Sequence, residues 1–177
     1  MRLRHFFALL LFLLVNNSTG GETSAVIGIS TTDWSEVSAL ADRSHRPLLL
    51  VVTAPDCGYC QRLKNEVLSS LDSHRDLAKR VIIREMDLHS SGKVVDFNGE
   101  LVRARMFLSR YGVFATPTVL FLDSAGQSLR EPLVGYNGTE LYLPELYEAV
   151  EESARALSVG GAHRMAGRDG TGSAPSD

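Results

Sequence analysis

The stretch Ala54-Pro55-Asp56-Cys57-Gly58-Tyr59-Cys60-Gln61-Arg62-Leu63 holds both cysteines of a 177-residue chain, with two residues between them. Immediately before it, residues 47–52 form an unbroken apolar run that predicts a buried strand. After it, Cys60, Leu63, Val67, Leu68 and Leu71 recur at helical spacing. The cysteine pair therefore falls at a strand-to-helix turn, where a helix begins. Unpaired backbone N–H groups at such a point stabilise negative charge and lower a thiol's pKa below its free value of about 8.5.

Composition limits the alternatives. Hydrophobic residues make up 44% of the chain and the formal net charge is −3. That is enough for one ordinary core, too little for a multi-span membrane protein, and it offers no basic surface for nucleic acid. At the N-terminus, Arg2 and Arg4 precede an apolar run over residues 6–15, followed by polar Asn16-Asn17-Ser18-Thr19-Gly20. This is the layout of a secretory signal. The run is about half the roughly twenty apolar residues that a membrane-spanning helix needs. The expected organisation is a signal peptide over 1–20, a globular domain over 25–157 and a flexible tail over 158–177. Localisation is expected to be periplasmic or secreted.

Export changes what the cysteines mean. A secreted chain stapled by disulfides carries several spaced pairs, whereas a single pair closing so short a loop constrains little of the unfolded chain. Chemistry explains Cys57 and Cys60 better than architecture does. Metal binding would need more ligands than one C-x-x-C supplies. His45, His74 and His89 lack ligand spacing, so no metal and no cofactor is expected. An inert structural disulfide is the bland alternative.

The remaining chain alternates strand and helix signals. A short strand is expected at 25–29, then a helix entered at Trp34 behind Thr32 or Asp33, with Val37, Leu40 and Ala41 on one face. After the cysteine helix come a strand over 81–87 and a small hairpin in which Val94-Val95-Asp96-Phe97 precedes the turn dipeptide Asn98-Gly99. A helix is expected over about 100–111, stopped by Gly112. Residues 118–122 read as a strand, and 129–134 as its partner. Pro132 places that partner at a sheet edge, because proline cannot donate to a ladder. A last helix carries Leu143, Leu146, Tyr147, Val150, Ala154 and Leu157 at i, i+3, i+4 spacing. This order predicts an α/β domain with a central mixed β-sheet and helices on both faces. A C-x-x-C beside such a pattern reads as thioredoxin-like.

Two separated landmarks, Cys57-Gly58-Tyr59-Cys60 at the helix start and Thr116-Pro117 before a late strand, make residues 25–157 resemble the thioredoxin superfamily. The resemblance implies a thioredoxin fold in which Pro117 is cis and stands beside the cysteines. Within the superfamily, the C-G-Y-C and Thr116-Pro117 sequences resemble DsbC-type disulfide isomerases. Val94-Val95-Asp96-Phe97-Asn98-Gly99-Glu100, Ser109-Arg110-Tyr111-Gly112-Val113 and Val134-Gly135-Tyr136 resemble periplasmic SoxW-type thioredoxins. The chain departs from thioredoxin in having Asp56 before the first cysteine, Asn65 at the position of the helix-kinking proline, and Val51 near that of the buried aspartate. A separate N-terminal dimerisation domain like that of DsbC is not expected.

The resemblance implies a thiol-disulfide oxidoreductase, with Cys57 as nucleophile and Cys60 as resolving thiol. Tyr59, Thr116 and Pro117 are expected to contact substrate, and Asp56 and Gly58 to tune the redox poise. Glu85 reads either as an acid assisting proton transfer to Cys60 or as a solvent-facing strand residue. Expected partners are protein or peptide disulfides and a membrane thiol-electron donor, with the chain acting as a monomer. A reductase is favoured. The alternatives are an oxidase or isomerase of the same fold, or a binding module in which Pro117 and Tyr59 form a docking groove without turnover.

Overall fold

The computed structural model describes residues 30–72 and 75–168. The expected signal peptide, the expected strand at 25–29 and His74 lie outside them. Helix α1, Trp34–Ser44, is capped by Asp33, whose carboxylate accepts from the backbone N–H groups of Ser35 and Glu36. It leads into β1, Leu48–Thr53, in which every residue is buried. Next comes α2, Gly58–Leu63, which continues as a π-helical segment, Lys64–Leu68, and a 3-10 turn, Ser69–Asp72. The widened turn contains Asn65. A short α3, Arg75–Ala78, precedes β2, Ile82–Asp87.

Strands β3, Lys93–Val95, and β4, Leu101–Arg103, form the expected hairpin. At its turn, Gly99 has φ +86° and donates to the Asp96 carbonyl, a conformation that glycine adopts without Cβ strain. The helix expected from about residue 100 begins later. Residues 101–103 pair with β3, and α4 is confined to Ala104–Ser109. Strand β5, Thr118–Leu122, is followed by β6, reduced to Leu133–Val134 directly after Pro132. Helix α5, Thr139–Arg168, runs past Leu157, where the apolar spacing ends.

The main sheet has the order β2-β1-β5-β6, with β1 parallel to β2 and β5 antiparallel to both β1 and β6. β6 therefore lies at an edge, as Pro132 requires. Because strand side chains alternate between faces, β1 feeds two cores. Leu49 and Val51 pack with Leu63, Val67 and Leu71 of the cysteine helix and with Leu146 and Val150 of α5. Leu48, Leu50 and Val52 pack with Trp34 and Val37 of α1 and Phe107 of α4. Trp34 is a packing residue, stacked at 5.0 Å on Phe107. The result is a mixed sheet covered by helices on both faces, with α2 held on one of them by β1.

Candidate active site

Strand β1 ends at Thr53, and Ala54-Pro55-Asp56 turns the chain into α2. Asp56 takes φ +58° at this turn, a left-handed conformation that aspartate tolerates better than most residues. Its side chain is exposed. Cys57 is the N-cap of α2, and Cys60 lies in the first turn. The two are joined as a disulfide with a Cα–Cα distance of 5.2 Å. Their environments differ. Cys60 is 1% exposed, while Cys57 is only partly covered.

Two donors converge on the outer sulfur. The Cys60 backbone N–H donates to Cys57 Sγ at 3.1 Å, and the Thr116 hydroxyl approaches the same atom at 3.5 Å. The Thr116–Pro117 peptide bond is cis. Pro117 is buried, and its carbonyl accepts from the Gly135 N–H at 2.8 Å, tying the loop to the end of β6. The structure thus brings Cys57, Cys60, Thr116 and Pro117 to one place, with Tyr59 between the cysteines and 59% exposed. Gly58 has open space where a Cβ would stand.

Glu85 is not on the solvent face. On β2 it pairs in register with Val51 of β1, accepts from the Thr53 hydroxyl at 2.8 Å, and forms an ion pair with Lys64 Nζ at 3.0 Å. Lys64 follows Cys60 by one helical turn, the i, i+4 spacing that puts two side chains on one helix face. Val51, near which the resemblance places the family's buried aspartate, thus has a carboxylate beside it on the neighbouring strand.

Sequence reasoning missed a second cluster that borders the site. Arg62 binds Glu66 through two nitrogens, at 2.9 and 3.4 Å, and its guanidinium lies 5.3 Å from the centre of the Tyr136 ring. The Tyr136 hydroxyl donates to Glu66 at 2.6 Å. Hydrogen bonding from Arg62, then from Tyr136, holds the Glu66 carboxyl below its ordinary pKa. The i, i+4 pairing of Arg62 and Glu66 was a visible signal; the arrival of Tyr136, 70 residues after Glu66, was not. Phe114 was also missed. It lies two residues before Thr116 and is 85% exposed.

Among the described residues, no group of three or more His, Cys, Asp or Glu side chains could hold a metal ion. No helix there is long and apolar enough to cross a membrane. The sequence model of a family described as a thioredoxin-like domain matches residues 35–149. No curated protein matches the sequence. Similar solved structures include a thioredoxin from Thermus thermophilus, 23% identical with a TM-score of 0.51, covering 71% of this chain and 87% of that one. A thioredoxin-fold protein from Helicobacter pylori is 22% identical with a TM-score of 0.49, covering 72% and 76%. The periplasmic thioredoxin SoxS from Paracoccus pantotrophus is 18% identical with a TM-score of 0.44, covering 61% and 99%. At these identities the likeness concerns the fold alone.

Proposed function

The chain belongs to the thioredoxin-like domain family and is a thiol-disulfide oxidoreductase, and on that premise we propose that it is a protein-disulfide reductase working outside the cytoplasm. The observation that carries the reading is the asymmetry of the pair. Cys57 is partly open and receives two hydrogen-bond donors on its sulfur, whereas Cys60 is buried behind it. Donors aimed at a sulfur favour its thiolate, and the thiolate is the attacking species.

The cycle starts from the reduced pair. The Cys57 thiolate attacks one sulfur of a substrate disulfide, forming a Cys57–substrate disulfide and expelling the other substrate sulfur as a thiolate that takes up a proton. Cys60 then gives up its proton and attacks Cys57 Sγ. The Cys57–Cys60 bond forms, the mixed disulfide breaks, and the second substrate sulfur leaves and is protonated. Two electrons have passed from the dithiol to the substrate. Tyr59 and Thr116 form the substrate-facing wall with Pro117 supporting it from below the surface, and Asp56 and Gly58 set the poise of the turn. A thiol donor in the membrane returns the electrons, and the chain acts as a monomer.

Export is supported by the basic start, short apolar run and polar exit of residues 1–20. An oxidising compartment would keep the pair as a disulfide unless a donor reduced it. Turbidimetric reduction of insulin with a small thiol as donor tests the reading, compared with rescue of scrambled ribonuclease. Fast insulin reduction with weak rescue is the expected result. Efficient rescue with poor insulin reduction would assign isomerase activity instead, and wild-type biological activity in Cys57→Ser, Cys60→Ser protein would show that the fold serves binding alone.

A further inference from the structure

We infer that Phe114 is a specificity-determining residue, and that it selects disulfides whose cysteine is flanked by a large apolar side chain in an extended polypeptide. This rests on the reductase reading and narrows its substrate class. Most large apolar side chains in the described domain are buried in the two cores, yet three exposed ones lie close, in sequence or in sheet register, to the disulfide and to Thr116. Phe114 is 85% exposed, Tyr59 59% and Val134 50%. Their placement follows from the backbone. Phe114 precedes Thr116 by two residues, which span at most ~7 Å of chain, and the Thr116 hydroxyl touches Cys57 Sγ. Val134 pairs with Thr118, the residue after Pro117. Tyr59 lies within the C-x-x-C itself.

A group of exposed large apolar side chains beside a reactive group marks a contact surface, where a single scattered one would not. A phenyl ring suits that role because it offers a large apolar face at small cost in side-chain entropy. The occupant is set by continuity with the sulfur: whatever covers Phe114 during turnover is the chain joined to the disulfide that Cys57 attacks. Charge narrows it further. Exposed Asp56, directly before Cys57 in the chain, disfavours acidic flanks, so peptides such as glutathione disulfide, small and rich in carboxylates, are poor substrates.

The test uses the full chain and three probes: bis(2-hydroxyethyl) disulfide, a cystine peptide with leucine beside each cysteine, and the same peptide with glutamate there. Wild-type protein is expected to favour the leucine peptide over the glutamate peptide. Phe114→Ser is expected to reduce that kcat/KM ratio about tenfold, the loss of roughly half of one buried aromatic contact. Phe114→Leu should restore most of the ratio. Equal treatment of the two peptides by wild-type protein, or a ratio unaltered in Phe114→Ser, would overturn the inference while leaving reduction of the hydroxyethyl disulfide to support the reductase reading. Failure to reduce even that probe would remove the reductase reading, and this inference with it. Sedimentation covers the other occupant: a wild-type dimer that Phe114→Ser converts to monomer would assign the surface to self-association.

Discussion

Thr116 Oγ1 lies 3.5 Å from Cys57 Sγ although the residues are 59 positions apart. The loop before β5 carries one side of this contact, and the cap geometry of α2 fixes the other. In the proposed cycle that hydroxyl would donate to the Cys57 sulfur of the reduced protein. Thr116→Val keeps the shape and deletes the donor. The reactivity of reduced Cys57 toward alkylation near neutral pH should fall about fivefold, corresponding to the loss of a hydrogen bond of roughly 1 kcal/mol. Iodoacetamide alkylation rates followed across pH would show it. An unchanged profile would mean that Thr116 has no part in stabilising the thiolate.

The two cysteines should fail differently. Cys57→Ser removes the attacking sulfur, so insulin reduction should fall to the background of the thiol donor. Cys60→Ser leaves the attack intact and removes the step that releases substrate. It should therefore accumulate a covalent adduct, visible by intact mass spectrometry and reversed by excess thiol. If Cys57→Ser instead trapped substrate, the assigned order of attack would be reversed.

Glu85 and Lys64 form an ion pair whose side chains are only 19% and 28% exposed, with the Thr53 hydroxyl as a third member. Breaking a largely buried pair from one side leaves the other charge without its partner. Glu85→Ala should cost about 1–2 kcal/mol in urea unfolding, a range reduced for the remaining solvent access. Glu85→Ala with Lys64→Met should lose less than the sum of the single variants, because the second change removes the orphaned ammonium. Strict additivity would show that the pair is not coupled.

Much of this arrangement was legible in the sequence, for reasons that particular residues make plain. β1 has a continuous apolar run because both its faces are covered, and the periodicity after Cys60 is that of a helix packing on it. Residues 101–103 misled because Leu101 and Val102 suit a helix start as well as a strand. Their pairing with β3, and the Ala104 N–H bond to the Gly92 carbonyl, are non-local and override local preference. Glu85 could have been placed by parity, since Ile83 and Glu85 share a face and Ile83 belongs to the α2 core. Nothing local marked Phe114. Loop sequence does not reveal exposure, which here depends on where α2 and β6 lie.

Gly126 ties the hairpin to the main sheet. It has φ +75°, and a Cβ there would fall on the Phe97 ring, coming within 2.7 Å of Cε2. The Tyr111 hydroxyl donates to its carbonyl, and Phe97 in turn stacks on Phe107. Gly126→Ala therefore combines a left-handed backbone penalty with a clash against a ring that is packed in place. A loss of about 2–4 kcal/mol is expected from the two together. Thermal unfolding of the oxidised protein would measure it, and a loss below 1 kcal/mol would mean that Phe97 moves aside easily.

The Arg62–Glu66–Tyr136 cluster predicts a pH dependence whose sign can be worked out. Glu66 has its pKa held below the ordinary 4.5 in the folded protein, first by the hydrogen bond from Arg62 and then by that from Tyr136. In the unfolded chain both contacts are gone and the carboxyl returns to its ordinary value. Between the folded and unfolded pKa values the unfolded state binds more protons, so acid favours unfolding there. The contribution is complete above about pH 5 and disappears as the pH falls through the folded pKa. Glu66→Gln keeps the shape and removes the titration. Its deficit relative to wild type in urea midpoint should be full at pH 6 and should shrink as the pH falls below 4.5 toward 3. A deficit equal at both pH values would mean that the carboxylate's charge contributes nothing and that only its packing matters.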